Sequence, residues 1–177
     1  MTATPVQAVT ATRASLEAAG FVGFSAVATL QLDRCERVPV ERGVYVVVRD
    51  PSHPLGFRAK SPAGFYRGVD PTLSLETLTK RWVDGASVMY IGIAAGSGVR
   101  ALLQQCIKRT VRFGGGAAIA HPGGAALWQL EGSTQLRFAW KVVDDDPRPQ
   151  AGKLVAEFVA RHGRTPFAHD DQESVDG

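Results

Sequence analysis

Between Arg100 and Arg112 the chain carries Arg100, Lys108, Arg109 and Arg112 and no acid. The pattern reads first as a solvated surface, and beside that as a helix face turned toward phosphate. Cys35 and Cys106 are the two thiols, and they stand far apart with no Cys-x-x-Cys and no Cys/His cluster. Neither a disulfide framework nor a zinc site is indicated, so any metal would need oxygen ligands. Cys106 ends an apolar stripe of helical spacing, a place for a small core residue or for a nucleophile. His121 stands in His-Pro-Gly-Gly, where an imidazole can secure a turn or serve a site. Acids gather elsewhere, at Asp144, Asp145 and Asp146 and again at Asp170, Asp171, Glu173 and Asp176. With 20 basic against 17 acidic residues the net charge is +3, so it is the distribution of charge that speaks for a polyanion, not the sum.

A scaffold must hold these groups. At 177 residues, 45% hydrophobic and 21% charged, the chain fits one globular domain and excludes a wholly disordered or fibrous one. There is no run of ~18 apolar residues, and the start, MTATPVQAVTATRASLEAAG, lacks the basic-then-apolar layout of a secretion signal. The expectation is a cytoplasmic protein with no membrane partner. After a frayed opening, ATRASLEAAG reads as a short helix stopped by Gly20, and GFVGFSAVATLQL as a second one with Ser25 as its N-cap. GVYVVVRD is the strongest strand, and PSHPLGFRAKSPAGFYRGVDPT a long ordered loop before the helical LSLETLTKRW. SVMYIGIA is a second strand, and AAGSG leads into a helix, VRALLQQCIKRTVRF, with Val99, Leu102, Leu103, Cys106 and Ile107 on one face. GGGAAIAHPGG connects to an antiparallel strand pair, ALWQL with LRFAWKVV, and AGKLVAEFVARHG closes the domain as a helix ending at Gly163. Trp82, Trp128 and Trp140 are expected in the core. The class is α+β, without internal repeats.

Gly43-Val44-Tyr45 on the first strand and Tyr90-Ile91-Gly92 on the second resemble the paired signature of the GIY-YIG nuclease superfamily. The succession VMYIGIAAGSGVRALLQQ, RFGGGAAIAHPGGAALWQL, LRFAW, DPRP and KLVAEFVARHGRTPFAH is similar to a bacterial branch of it. LEAAGFVGF, VPVERGVYVVVRD and SPAGFYRGVDPTLSLETLTKRWV extend that similarity, from about Leu16 to His169. The resemblance implies a small GIY-YIG-like sheet with a central antiparallel strand pair flanked by helices, in a domain over 39–169 that includes the 51–86 insertion. A helical extension over 1–38 precedes it and an acidic tail over 170–177 follows. It also implies metal-assisted hydrolysis of a phosphodiester. The first tyrosine is then a candidate general base, and an arginine after the second tripeptide faces the phosphate with a tyrosine or histidine one turn later. A glutamate on the last helix holds a divalent cation, and an asparagine follows it.

Carried over position by position, Tyr45 and Tyr90 match and the rest departs. Arg100 keeps the first arginine of the family's Leu-Arg-x-Arg-Leu, but the catalytic arginine falls on Leu102 and its partner on Cys106. The glutamate falls on Ala151 and the asparagine on His169; Ile93 and Ala125 stand where a lysine and an arginine are common. Alanine cannot ligate Mg²⁺, and leucine cannot stabilise an oxyanion. Glu157, six residues beyond Ala151, points about 120° away around a helix. The resemblance therefore implies a degraded phosphodiesterase site with no cofactor, Mg²⁺ entering only where cleavage survives. Two functions follow. One is a non-cleaving relative that binds DNA or RNA through Arg100, Lys108, Arg109 and Arg112. The other is an enzyme turned to a small-molecule substrate, in bacterial secondary metabolism for instance, with Tyr45, Tyr90, Cys106, His121 and His169 around the former nuclease pocket. Tyr45 and Tyr90 can equally serve as packing.

Overall fold

In the computed structural model, which describes residues 13–120 and 123–170, the elements run α1 (Arg13–Ala18), β1 (Val22–Ala26), α2 (Val27–Leu32), β2 (Gly43–Val48), α3 (Leu75–Arg81), β3 (Val88–Ala94), α4 (Leu103–Gly114), β4 (Arg137–Val142) and α5 (Arg148–His162). Short 3-10 turns lie at Val99–Ala101, Ala125–Gln129 and Ser133–Gln135. The strands form one antiparallel sheet in the order β1-β4-β2-β3, so the chain is α+β with a four-stranded antiparallel sheet flanked by helices.

β2 is apolar throughout because both its faces are covered. Tyr45 and Val47 join a core formed with α2, α4 and the 125–129 turn, whereas Val44 and Val46 join a second core formed with α1 and α5. Of the tryptophans, Trp128 and Trp140 are buried, and Trp82 is half-buried against Phe57 and Phe167. Among the described residues no helix is long and apolar enough to cross a membrane.

Four local expectations are corrected by the tertiary structure. GFVGFSAVATLQL is not one helix: Val22–Ala26 is strand β1, paired with β4, and only Val27–Leu32 is helical. The N-terminal stretch thus completes the sheet and is not purely helical. Ser25 caps nothing; it is buried in β1 opposite Phe138, and Ala26 occupies the N-cap position of α2. ALWQL is not a strand: Ala125–Gln129 is a 3-10 turn, and Leu130, the last residue of ALWQL, makes an isolated bridge to Phe57. The helix expected from Val99 begins instead at Leu103, because Leu102 is extended (ψ 152°) and the Leu103 and Gln104 N–H groups donate to the Glu41 and Pro39 carbonyls.

The long segment between β2 and α3 is held although it has little regular structure. Gln129, fully buried, accepts from the Leu73 N–H (2.6 Å) and donates to the Leu73 and Arg58 carbonyls (3.0 and 3.1 Å), while its own carbonyl accepts from the Arg58 N–H (2.7 Å). One side chain therefore satisfies backbone groups at both ends of the segment. Ser74 then caps α3 by accepting from the Thr77 N–H.

Candidate functional site

Antiparallel register brings the two tyrosines together. Tyr45 stands opposite Gly92 and Val47 opposite Tyr90, so both phenols rise from the same face of adjacent strands. The Tyr45 ring lies across Gly92: a Cβ added there would stand 2.1 Å from its Cζ, which is why this strand position is glycine. Tyr45 also stacks on Phe138, with ring centroids 6.1 Å apart, and tilts against Tyr90 at 6.1 Å. Only 4% of Tyr45 and 5% of Tyr90 is exposed, so neither ring offers a face to a phosphodiester strand.

His169 is delivered to this pair from the far end of the chain. Gly163, in the left-handed conformation, ends α5, and the chain then covers the open edge of β3: the Ala168 N–H donates to the Met89 carbonyl (2.9 Å). The Ile91 N–H donates to His169 Nε2 (3.2 Å), and the imidazole lies 5.0 Å from the Tyr90 ring. Burial pushes the His169 pKa below the ordinary histidine value, against the opposing pull of the Asp170 carboxylate. An imidazole that accepts from a backbone amide is neutral at that nitrogen, so this ring acts as an edge cap for the sheet.

The other positions of the implied nuclease site are scattered. Cys106, on α4, is half-buried and its thiol donates to the Arg100 carbonyl at 3.7 Å. Burial raises its pKa, with the Arg109 guanidinium working the other way. Ala151, on α5, is 2% exposed and packs in the core on the opposite side of the sheet from Tyr45 and Tyr90. Glu157 is exposed and pairs with Lys153 at 3.8 Å. The residues at these positions do not fit a divalent cation beside the tyrosines, and among the described residues no three His, Cys, Asp or Glu side chains cluster in a way that could hold one. His121 lies outside the described residues.

The basic residues assemble differently. Lys108 and Arg112, one turn apart on α4, share a face, and Arg34 just beyond α2 joins them across a groove of about 450 Å³ floored by Leu30 and Val111. No carboxylate lines it. Arg34 and Cys35 hold positive φ (54° and 62°), and Gln104 of α4 donates to the Cys35 and Val38 carbonyls (3.3 Å each), which fixes this bend against α4. Cys35 is buried beneath the groove; burial, with help from Asp33, pushes its pKa up to about 11 against the pull of Lys108. Arg109 and Arg100 do not line the groove: Arg109 donates to the Ala120 carbonyl (3.2 Å), and Arg100 is exposed on the 3-10 turn before α4. Arg34 escapes a sequence reading because Asp33 and Glu36 neutralise its neighbourhood along the chain, and Asp33 is spent on Arg37 and the Cys35 N–H. A second depression, of about 370 Å³, mixes signs, with Arg49 beside Asp50 and Glu131.

Compared with protein-family models, with curated proteins and with solved structures, the chain matches none.

Proposed function

We propose that this chain is a non-cleaving nucleic-acid-binding protein, a relative of the GIY-YIG nucleases whose tyrosine pair has become core. The observation that carries the reading is the groove between α2 and α4, where Arg34, Lys108 and Arg112 converge with no lining carboxylate. A polyanion releases counterions when such cations neutralise its phosphates, and three contacts contribute a log–log salt slope of about −2.7 on a duplex. The burial of Tyr45 and Tyr90, and the apolar seat of Ala151, support the absence of cleavage. The raised pKa of Cys106 gives the small-molecule alternative no ready thiolate.

Fluorescence anisotropy of labelled duplex and single-stranded probes across salt tests the reading. From 50 to 200 mM salt the three contacts alone predict an affinity drop of about fortyfold, and the combined Arg34→Gln, Lys108→Gln and Arg112→Gln variant should lose about 2–3 units of slope. Failure of every probe to bind at low salt, or a slope untouched by the variant, would sink the proposal. Incubation with Mg²⁺ or Mn²⁺ should leave plasmid intact; robust cleavage lost in Tyr45→Phe would overturn the non-cleaving half of it.

A further inference from the structure

The long segment before α3 presents an exposed aromatic turn. Tyr66 and Val69 pair across it, and Arg67 and Gly68 both hold positive φ (52° and 77°), the geometry of a type I′ turn. Phe65 is 55% exposed and Tyr66 39%, and the Arg67 guanidinium lies 5.3 Å from the centre of the Tyr66 ring. Two large aromatics held in water on a tight turn gain nothing for the core. Their turn is nonetheless fixed at its base: the Ser61 N–H donates to Thr72 Oγ1 (3.0 Å), and Asp70 accepts from the Thr72 N–H (2.9 Å) and from Lys60 (3.2 Å).

Its position is tied to the basic groove. The Gly64 N–H donates to the Phe113 carbonyl at the end of α4 (3.0 Å), and the backbone there lies so close that a Cβ on Gly64 would stand 2.0 Å from the Ala117 carbonyl oxygen. Ala117 lines the groove together with Arg34, Lys108 and Arg112. Phe65, the next residue after Gly64, therefore follows directly on a residue packed against the groove's lining. Arg58, Lys60 and Arg67 stand on the same segment, where Lys60 pairs with Asp70.

We infer that the Phe65–Val69 turn is a base-stacking platform for a single-stranded nucleic acid whose phosphates follow the groove between α2 and α4. The inference rests on the groove reading and adds the strand form of the ligand. A duplex hides the faces of its bases, whereas a single strand can lay them on exposed rings while its backbone tracks the cations. Ring faces accept any base, so the expected recognition is for strandedness and not for sequence.

The probes are labelled oligo-dT and oligo-U of about twenty nucleotides and a mixed-sequence duplex of equal length, titrated against the wild type and the Phe65→Ala/Tyr66→Ala double variant. The single strands should bind the wild type at least about tenfold more tightly than the duplex, and the double variant should bring them down to the duplex's affinity with its salt slope kept. Phe65→Trp should retain the preference. Because both rings are exposed, the double variant should melt with the wild type. Oligo-dT against oligo-U decides whether DNA or RNA is preferred. Equal binding of duplex and single strands, or a preference unmoved by the double variant, overturns the stacking platform and leaves the groove standing. Absence of binding to all three probes overturns both.

Discussion

The tyrosine pair and the α2–α4 groove meet the same apolar core, yet physical chemistry treats them in opposite ways. Tyr45 and Tyr90 carry hydroxyls that could do chemistry and are buried among Phe138, Gly92 and His169. Arg34, Lys108 and Arg112 rim a groove and reach its surface through flexible stems. Residues that look reactive in the sequence are thus packed in the core, and residues that look like ordinary surface charge are gathered around one groove. Closing the sheet edge with His169 serves the first region, and the bend at Arg34 and Cys35 serves the second.

The contrast breaks most readily at Tyr45. Replacing it with alanine empties a packed site between Gly92 and Phe138 and should cost about 3–5 kcal/mol in urea unfolding, whereas the Arg34, Lys108 and Arg112 glutamine variant should shift stability by no more than about 0.5 kcal/mol. If Tyr45→Ala unfolds like the wild type, the ring is not core and an open tyrosine site must be reconsidered.

Thiol chemistry gives the next largest effect. Cys35 and Cys106 both have raised pKa values through burial, so in the folded protein iodoacetamide should modify each at least about tenfold more slowly than in urea, Cys35 the slower of the two. Rapid native alkylation of Cys106 would revive a nucleophilic role for it.

The smallest effect sharpens the assignment of His169. Folding lowers its pKa below 6.5, so the unfolded chain takes up a proton on this ring that the folded chain refuses. Its contribution to stability is complete above pH 6.5 and is lost as pH falls below it toward the lowered folded value. Urea melts at pH 7.5 and 5.5 should show lower stability at the acid end, with a smaller difference in His169→Gln. Some loss should remain in that variant, because burial lowers the His162 pKa in the same direction. A wild type more stable at pH 5.5 would mean that the ring is charged in the folded state.

Much of the fold is legible in local sequence. β-branched runs at Gly43–Val48 and Val88–Ala94 and the Gly163 stop each act within a few residues of themselves. β1 is not legible, since Val22–Ala26 is a strand only because β4 offers it an edge more than a hundred residues away. The break at Leu102 depends in the same way on carbonyls of Pro39 and Glu41. At the candidate site, Lys108 and Arg112 stand out as members of the acid-free basic run, but Arg34 does not, and the run does not show the separation of Arg100 and Arg109 from them.

The sequence by itself determined the α+β class, the central strands and which side chains carry charge or reactive atoms, because propensity and periodicity are local properties. Which of those side chains are buried, and which converge, was decided only by tertiary structure. Burial and convergence depend on what the sheet and helices bring from distant positions: His169 to the β3 edge, Ala151 to the far side of the sheet, Arg34 to the face of α4, and Gly64 against Ala117 of the groove's lining.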